Sequence, residues 1–180
     1  AQTSTAAPPP LPPLTQNQNT TFNTGEILSA GHGFFGRAST ELASVVEFIF
    51  SRYGEPTAYI VGEGASGAFF GGLRYGEGDI FMRSGDTLPV FWQGPSIGFD
   101  MGVDGSRTMV LVYNLPAPTM IYDNFTSTGG LAYVAGGLGV DFQTNKRDVI
   151  LAVIRSGVGL RLGINVGYLK YTAEPTWNPF

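Results

Sequence analysis

The longest regular pattern lies near the end of the chain, between Arg155 and Thr172. Val158, Leu160, Leu162, Ile164, Val166 and Tyr168 occupy every second position, with Gly157, Gly159, Gly163 and Gly167 on the opposite face. A period of two predicts a strand, here one long strand. Glycines along one face let such a strand bend or let another backbone approach closely, and long, glycine-bent strands with one apolar face suit a small closed barrel. The alternation predicts that the five aliphatic residues from Val158 to Val166 point inward. Arg155 and Arg161 then point outward, because burying unpaired guanidinium groups is costly.

A different period appears earlier. Leu42, Val45, Val46, Ile49, Phe50 and Tyr53 recur at helical spacing, which predicts one amphipathic helix, the only one the pattern supports. Ser39 or Thr40 is placed to cap its start. Gly54 is placed to end it in the left-handed conformation, with Pro56 preventing resumption. From Thr57 onward the pattern predicts short strands at Ala58–Glu63, Ala68–Tyr75, Asp79–Arg83, Leu88–Trp92 and Ile97–Met101. Ser84-Gly-Asp86 and Asp104-Gly105 supply turns. Arg107–Asn114 is apolar on both faces and is therefore expected to be covered on both sides. A helical turn near Thr119–Phe125 and strands at Gly130–Ala135, Gly137–Phe142 and Asp148–Arg155 follow, with a turn at Thr144-Asn-Lys146. Residues 1–24 are proline, threonine, glutamine and asparagine with little to bury; Pro8, Pro9, Pro10, Pro12 and Pro13 favour an extended, solvated backbone. The expected organisation is a disordered or peripheral segment over 1–24 and a single mainly-β barrel domain over 25–180.

Composition sharpens this picture. Charged residues are 13% of the chain, about half the usual share, while 26 glycines and 13% aromatics fit an all-β barrel or sandwich. The net charge of −4 and only two lysines, Lys146 and Lys170, argue against a nucleic-acid partner. No cysteine is present, which excludes disulfides, thiolate metal sites and thiol catalysis. The Ala1-Gln2 start, without methionine, reads either as a mature end left by a signal peptidase or as a trimmed chain. No run approaches the roughly 18 apolar residues that span a bilayer.

Candidate chemistry is sparse. Gly31-His-Gly-Phe-Phe-Gly36 matches G-x-G-x-x-G literally, yet Phe34 and Phe35 crowd the place of a pyrophosphate and no βα alternation follows. A turn with close packing is the plainer reading, for His32 as for the glycines, and no cofactor is expected. Gly62-Glu-Gly-Ala-Ser-Gly67 also matches but leads into a strand. A single histidine without an acidic cluster makes no metal site. Neither Ser66 nor Ser156 lies in a nucleophile motif. The carboxylate pairs Glu77/Asp79 and Asp100/Asp104 fall at expected turns or strand ends, where carboxylates are commonly solvated. Two sets remain as ligand-binding candidates. Arg155 and Arg161 could line an anion site if turned inward, or face solvent or pair with acids if not. Phe69, Phe70, Phe81, Phe91, Trp92 and Phe99 could line a lipid or glycan pocket, or simply pack the core.

These same residues carry a resemblance. The run from Arg155 to Gly163, its continuation to Thr172 and the ending Thr176-Trp-Asn-Pro-Phe180 resemble the EipA family of envelope-integrity proteins from alphaproteobacteria. Phe142-Gln-Thr-Asn145, Met109-Val-Leu-Val-Tyr-Asn114 and Gly94-Pro-Ser-Ile-Gly-Phe-Asp100 extend the likeness to the helix. The resemblance implies export to the periplasm, a small conical antiparallel β-barrel with an aromatic-filled interior, and a role in envelope homeostasis; it brings no catalytic residues. Trp92–Leu115 and Ala135-Gly-Gly-Leu-Gly139 also resemble the lipid-binding SYLF domain, although the helix here carries glutamates where that domain has a basic, membrane-contacting segment. The expectation is a non-enzymatic protein that binds an envelope component, whether lipid, polysaccharide or protein. A carrier of a hydrophobic molecule and an envelope-polymer hydrolase are the alternatives, and an empty barrel interior would favour the carrier.

Overall fold

A computed structural model describes residues 21–36, 40–67, 73–95, 106–135, 138–156 and 168–175. Among these residues two helices, α1 (Thr24–Phe35) and α2 (Thr40–Tyr53), precede eight strands: β1 (Ala58–Gly67), β2 (Leu73–Met82), β3 (Thr87–Pro95), β4 (Ser106–Tyr113), β5 (Asn124–Ala135), β6 (Leu138–Thr144), β7 (Ile150–Ser156) and β8 (Tyr168–Thr172). A short 3-10 helix, Pro118–Ile121, links β4 to β5. The strands close a barrel in the order β1-β2-β3-β8-β5-β6-β7-β4, and every pairing is antiparallel. Closure leaves no strand edge unpaired around the ring, which is how a small all-β domain avoids edge-to-edge association.

Alternation assigns the two faces of the wall. Ala58, Ile60, Ile80, Val90, Trp92, Val110, Val112, Phe125, Leu151, Val153, Leu169 and Tyr171 fill the interior. Met109, Leu111, Tyr113, Val140, Phe142, Ala152 and Ile154 point outward, under Ile27 of α1 and Leu42, Val45, Val46 and Ile49 of α2. β4 is thus covered on both sides, as its two apolar faces predict. Each fully buried aliphatic side chain contributes about 1.5–3 kcal/mol, so a strand dry on both faces adds to two cores at once.

α2 follows its predicted period, and Gly54 ends it with φ 80°, its N–H donating to the Phe50 carbonyl at 2.9 Å. A second helix, α1, corrects the single-helix expectation. Its start was legible: the Asn23 side chain accepts from the Glu26 N–H at 2.9 Å while the Glu26 carboxylate accepts from the Asn23 N–H at 3.0 Å, a capping box. Three glycines depress its helix propensity, but Gly31 is needed, since a Cβ there would stand 2.7 Å from Leu42 Cδ2. His32 and the Gly31–Gly36 motif therefore lie in this helix and its left-handed cap, not in a turn. With no strand-loop-helix and an antiparallel sheet, the motif cannot cradle a pyrophosphate.

Two strand expectations also change. Ala68–Tyr75 and Asp79–Arg83 were expected as separate strands, but Leu73–Met82 is continuous through Gly76-Glu-Gly78. Glu77 and Asp79 accordingly sit in mid-strand, exposed on the outer face. The expected single strand from Arg155 to Thr172 is two: β7 lies between β6 and β4, β8 between β3 and β5, and they run in opposite directions. Val158, Leu160, Leu162, Ile164, Val166 and Arg161 lie outside the described residues, as do Ile97–Met101, the Trp177 and Phe180 of the tail, and residues 1–20.

Candidate functional site

The interior is occupied at one end and polar towards the other. Trp92 spans the middle of the barrel: a Cβ at Gly76 would overlap its indole, and one at Gly62 would stand 2.7 Å from its Cη2. Glycine on β1 and β2 is what makes room for this ring. Trp92 then tilts against Tyr171 at 6.0 Å, and Tyr171 meets Phe125 edge-on at 5.4 Å. Beyond this layer Asp141 and Gln143, both 2% exposed, share the inward register of Val153 and Leu151. Ser127 Oγ donates to Asp141 Oδ1 at 2.9 Å, and Gln143 Nε2 reaches Asp141 Oδ2 at 3.4 Å. Burial of this group is tolerable because its carboxylate is hydrogen-bonded.

Arg155 belongs to this inner face, which corrects its outward assignment. It follows Leu151 and Val153 by twos on β7 and pairs in register with Thr108 and Gly139. Asp141 stands diagonally across from it, two residues on from Gly139. A buried carboxylate one strand away favours a guanidinium where an unpaired one would be costly. The aromatic candidates do not form one pocket. Trp92 is inside and only 6% exposed, whereas Phe91 is on the outer face opposite Glu77 and Thr172. Phe69, Phe70, Phe99 and Arg161 lie outside the described residues.

Two clefts among the described residues open on the outside. The first, about 600 Å³, lies between the start of α1 and β1 and is lined by Phe22, Asn23, Gly25, Glu26, Ser29, Ala30 and Tyr59. Phe22 meets Tyr59 edge-on at 5.1 Å, and Tyr59 stacks on Phe81 at 5.2 Å. Desolvation and then the nearby Glu26 charge push the Tyr59 hydroxyl above its ordinary value, so it remains a neutral donor.

The second cleft, about 500 Å³, lies at the barrel end, lined by Thr57, Met82, Arg83, Ser84, Asn114, Leu115 and Pro116. Its rim is well anchored. Thr57 N–H donates to the Val112 carbonyl at 2.8 Å, and Thr57 Oγ1 accepts from Leu115 N–H at 3.3 Å. Asn114, with φ 65°, donates from Nδ2 to the Asp148 carbonyl at 3.0 Å. Arg83 separates the two clefts. Its Nη2 is 3.4 Å from Glu26 Oε2, and its guanidinium carbon is 5.9 Å from the Phe22 ring centroid. Sequence reasoning passed over Arg83 at the end of an expected strand before a turn, over Asp141 inside the expected strand Gly137–Phe142, and over Gln143 just beyond it. Alternation alone does not say which set faces in. Among the described residues no group of three metal-ligating side chains occurs, and no helix is long and apolar enough to cross a membrane.

Residues 20–180 match the family described as envelope integrity protein A. The crystal structure of a β-barrel-like, uncharacterized protein from Brucella abortus is similar in fold and sequence. It is 46% identical with a TM-score of 0.80, over 89% of this chain and 99% of that one. No protein of curated function matches the chain.

Proposed function

The chain belongs to the envelope integrity protein A family, and from that premise we propose an exported, periplasmic, non-enzymatic protein. It sustains the cell envelope by binding one of its components on the outside of the barrel. The observation that carries this reading is the occupied interior. Among the described residues, fifteen buried apolar side chains form the inner cluster, including Trp92, Phe125 and Tyr171, so this part of the interior is packed. Two outer clefts among the described residues are each within the size range of roughly 300–1,000 Å³ of small-molecule sites.

The test is complementation of a deletion strain under detergent stress, with the protein carrying or lacking an export signal. Rescue should require export, and rescue by protein retained in the cytoplasm would overturn the periplasmic assignment. Replacing the exposed pair by Glu77→Gln and Asp79→Asn should leave rescue intact. Its loss in a folded variant would favour hydrolysis of an envelope polymer by these carboxylates.

A further inference from the structure

The cleft between the start of α1 and β1 joins aromatic rings to open hydroxyl groups. We propose that it binds a neutral glycan, with the C–H face of a pyranose ring against Phe22 and Tyr59 and its hydroxyls on Tyr59, Ser29 and Asn23. This rests on the reading that the protein acts by binding an envelope component, and it names the class of that component.

Three observations converge. The first is an aromatic corner. The Phe22 and Tyr59 rings meet at 70° with centroids 5.1 Å apart, and Phe81 backs Tyr59 at 5.2 Å, so the wall is in place before a ligand arrives. Both rings are half-buried and line the cleft. The second is a set of reachable polar groups. Ser29 and Asn23 are exposed. Neither Ser29 Oγ nor the Tyr59 hydroxyl has a hydrogen-bond partner, and Asn23 uses only Oδ1, as acceptor from the Glu26 N–H, which leaves Nδ2 open. Tyr59 stays protonated through desolvation and the Glu26 charge, so it can donate to a sugar oxygen.

The third is charge, which selects among ligand classes. Glu26 is the carboxylate of the cleft and is already matched: Oε1 accepts from the Asn23 N–H and Oε2 faces Arg83 Nη2 at 3.4 Å. An added anion would meet its repulsion. An added cation would compete with Arg83, which lies 5.9 Å from the Phe22 ring centroid where a cation–π partner sits. A plain hydrocarbon would cover the Tyr59 and Ser29 hydroxyls without pairing them, which is costly. A neutral ring with one apolar face and several hydroxyls meets none of these objections.

The test is an NMR titration of the full chain with chitotetraose and cellotetraose, neutral chains that differ in their N-acetyl groups. Tetragalacturonate, an anionic chain of the same length, is run beside them. A neutral chain should saturably shift the amide signals of residues 22–30 and of Tyr59, and whichever binds more tightly shows whether the N-acetyl group is read. Tetragalacturonate should bind several-fold more weakly. Tyr59→Phe keeps the ring and removes the hydroxyl, and it should weaken binding by about threefold to tenfold, the scale of one hydrogen bond. Ser29→Trp, at an exposed position of α1, should fill the cleft and abolish binding while leaving the thermal melt unchanged. The proposal is overturned if neither neutral chain binds, if the shifts map to another part of the barrel, or if tetragalacturonate binds as tightly. Undiminished binding by folded Tyr59→Phe or Ser29→Trp protein overturns it too. Complementation is scored separately, so a negative titration with intact rescue removes this ligand class and leaves the envelope role standing.

Discussion

The wall formed by β4, β6 and β7 and the wall formed by β1, β2 and β3 enclose the same interior and solve its packing in opposite ways. The first is thickened from outside. Met109, Leu111, Phe142 and Ile154 point away from the barrel into a second core built by the helices. Phe48 of α2 stacks on Tyr133 at 4.6 Å, and Arg52 lies 5.4 Å from the Phe142 ring centroid. The second wall is thinned from inside. Gly62 and Gly76 remove side chains so that Trp92 can fill the space, and Gly78 lets the β1 backbone come close, while Glu63, Glu77 and Asp79 stay exposed outside. A barrel can therefore be packed by adding helices to one wall and subtracting side chains from the other. The aromatic cleft beside β1 and the turn carrying Arg83 both lie along the thinned wall.

The contrast is broken most severely by charge. Leu111→Asp puts a carboxylate into the helix-covered core, where an unpaired buried charge costs several kcal/mol, and it should abolish folding as read by circular dichroism. Asp79→Ala on the outer face of the other wall should move stability by no more than about 0.5 kcal/mol. A folded Leu111→Asp protein would mean that the helices are not a second core.

Next in size is the glycine wall. Gly76→Ala should destabilise by about 1–3 kcal/mol, because the added methyl overlaps the Trp92 ring and overpacks the interior. In a Trp92→Leu background the same change should cost less, and that coupling is measured by a double-mutant cycle in denaturant. Additive effects would show that the glycines are not there for the indole.

The boundary of the domain gives a smaller effect. Thr21 Oγ1 donates to Glu55 Oε1 at 2.8 Å, Phe22 N–H donates to the Pro56 carbonyl at 2.9 Å, and Asn23 caps α1. Deleting residues 1–20 should leave the melting temperature unchanged. Deleting 1–24 should cost about 1–2 kcal/mol through the lost cap alone, so the two truncations locate where the body begins.

The smallest effect is a pH dependence. The Tyr113 hydroxyl, held above its ordinary value by burial and secondarily by Tyr53, donates to the Gly54 carbonyl at 3.0 Å. The unfolded chain loses this proton near pH 10 while the folded chain retains it, so this contribution is full below about pH 10 and declines as pH rises above it. Tyr113→Phe should cost about 1 kcal/mol at neutral pH and make the alkaline fall in melting temperature shallower. An identical alkaline slope in both proteins would assign the fall to other tyrosines.

Some of this was legible from residues alone. α2 follows a period that only a helix satisfies, and the two apolar faces of Arg107–Asn114 could belong only to a strand covered on both sides. The capping box of Asn23 and Glu26 was equally readable, although glycines at 25, 31 and 33 masked the helix behind it. Local periodicity and capping are short-range properties, so one stretch of sequence suffices to determine them. The division of the last predicted strand into β7 and β8, the inward register of Asp141, Gln143 and Arg155, and the separation of Phe91 from Trp92 depend on where each strand sits in the ring. An alternating strand presents two faces, and only the elements that cover it decide which one is inside. Helices over β6 and β7 make the outer face dry, so Val140 and Phe142 turn out towards them while the polar residues between face in. That choice belongs to the tertiary structure, because it is set by neighbours distant in sequence.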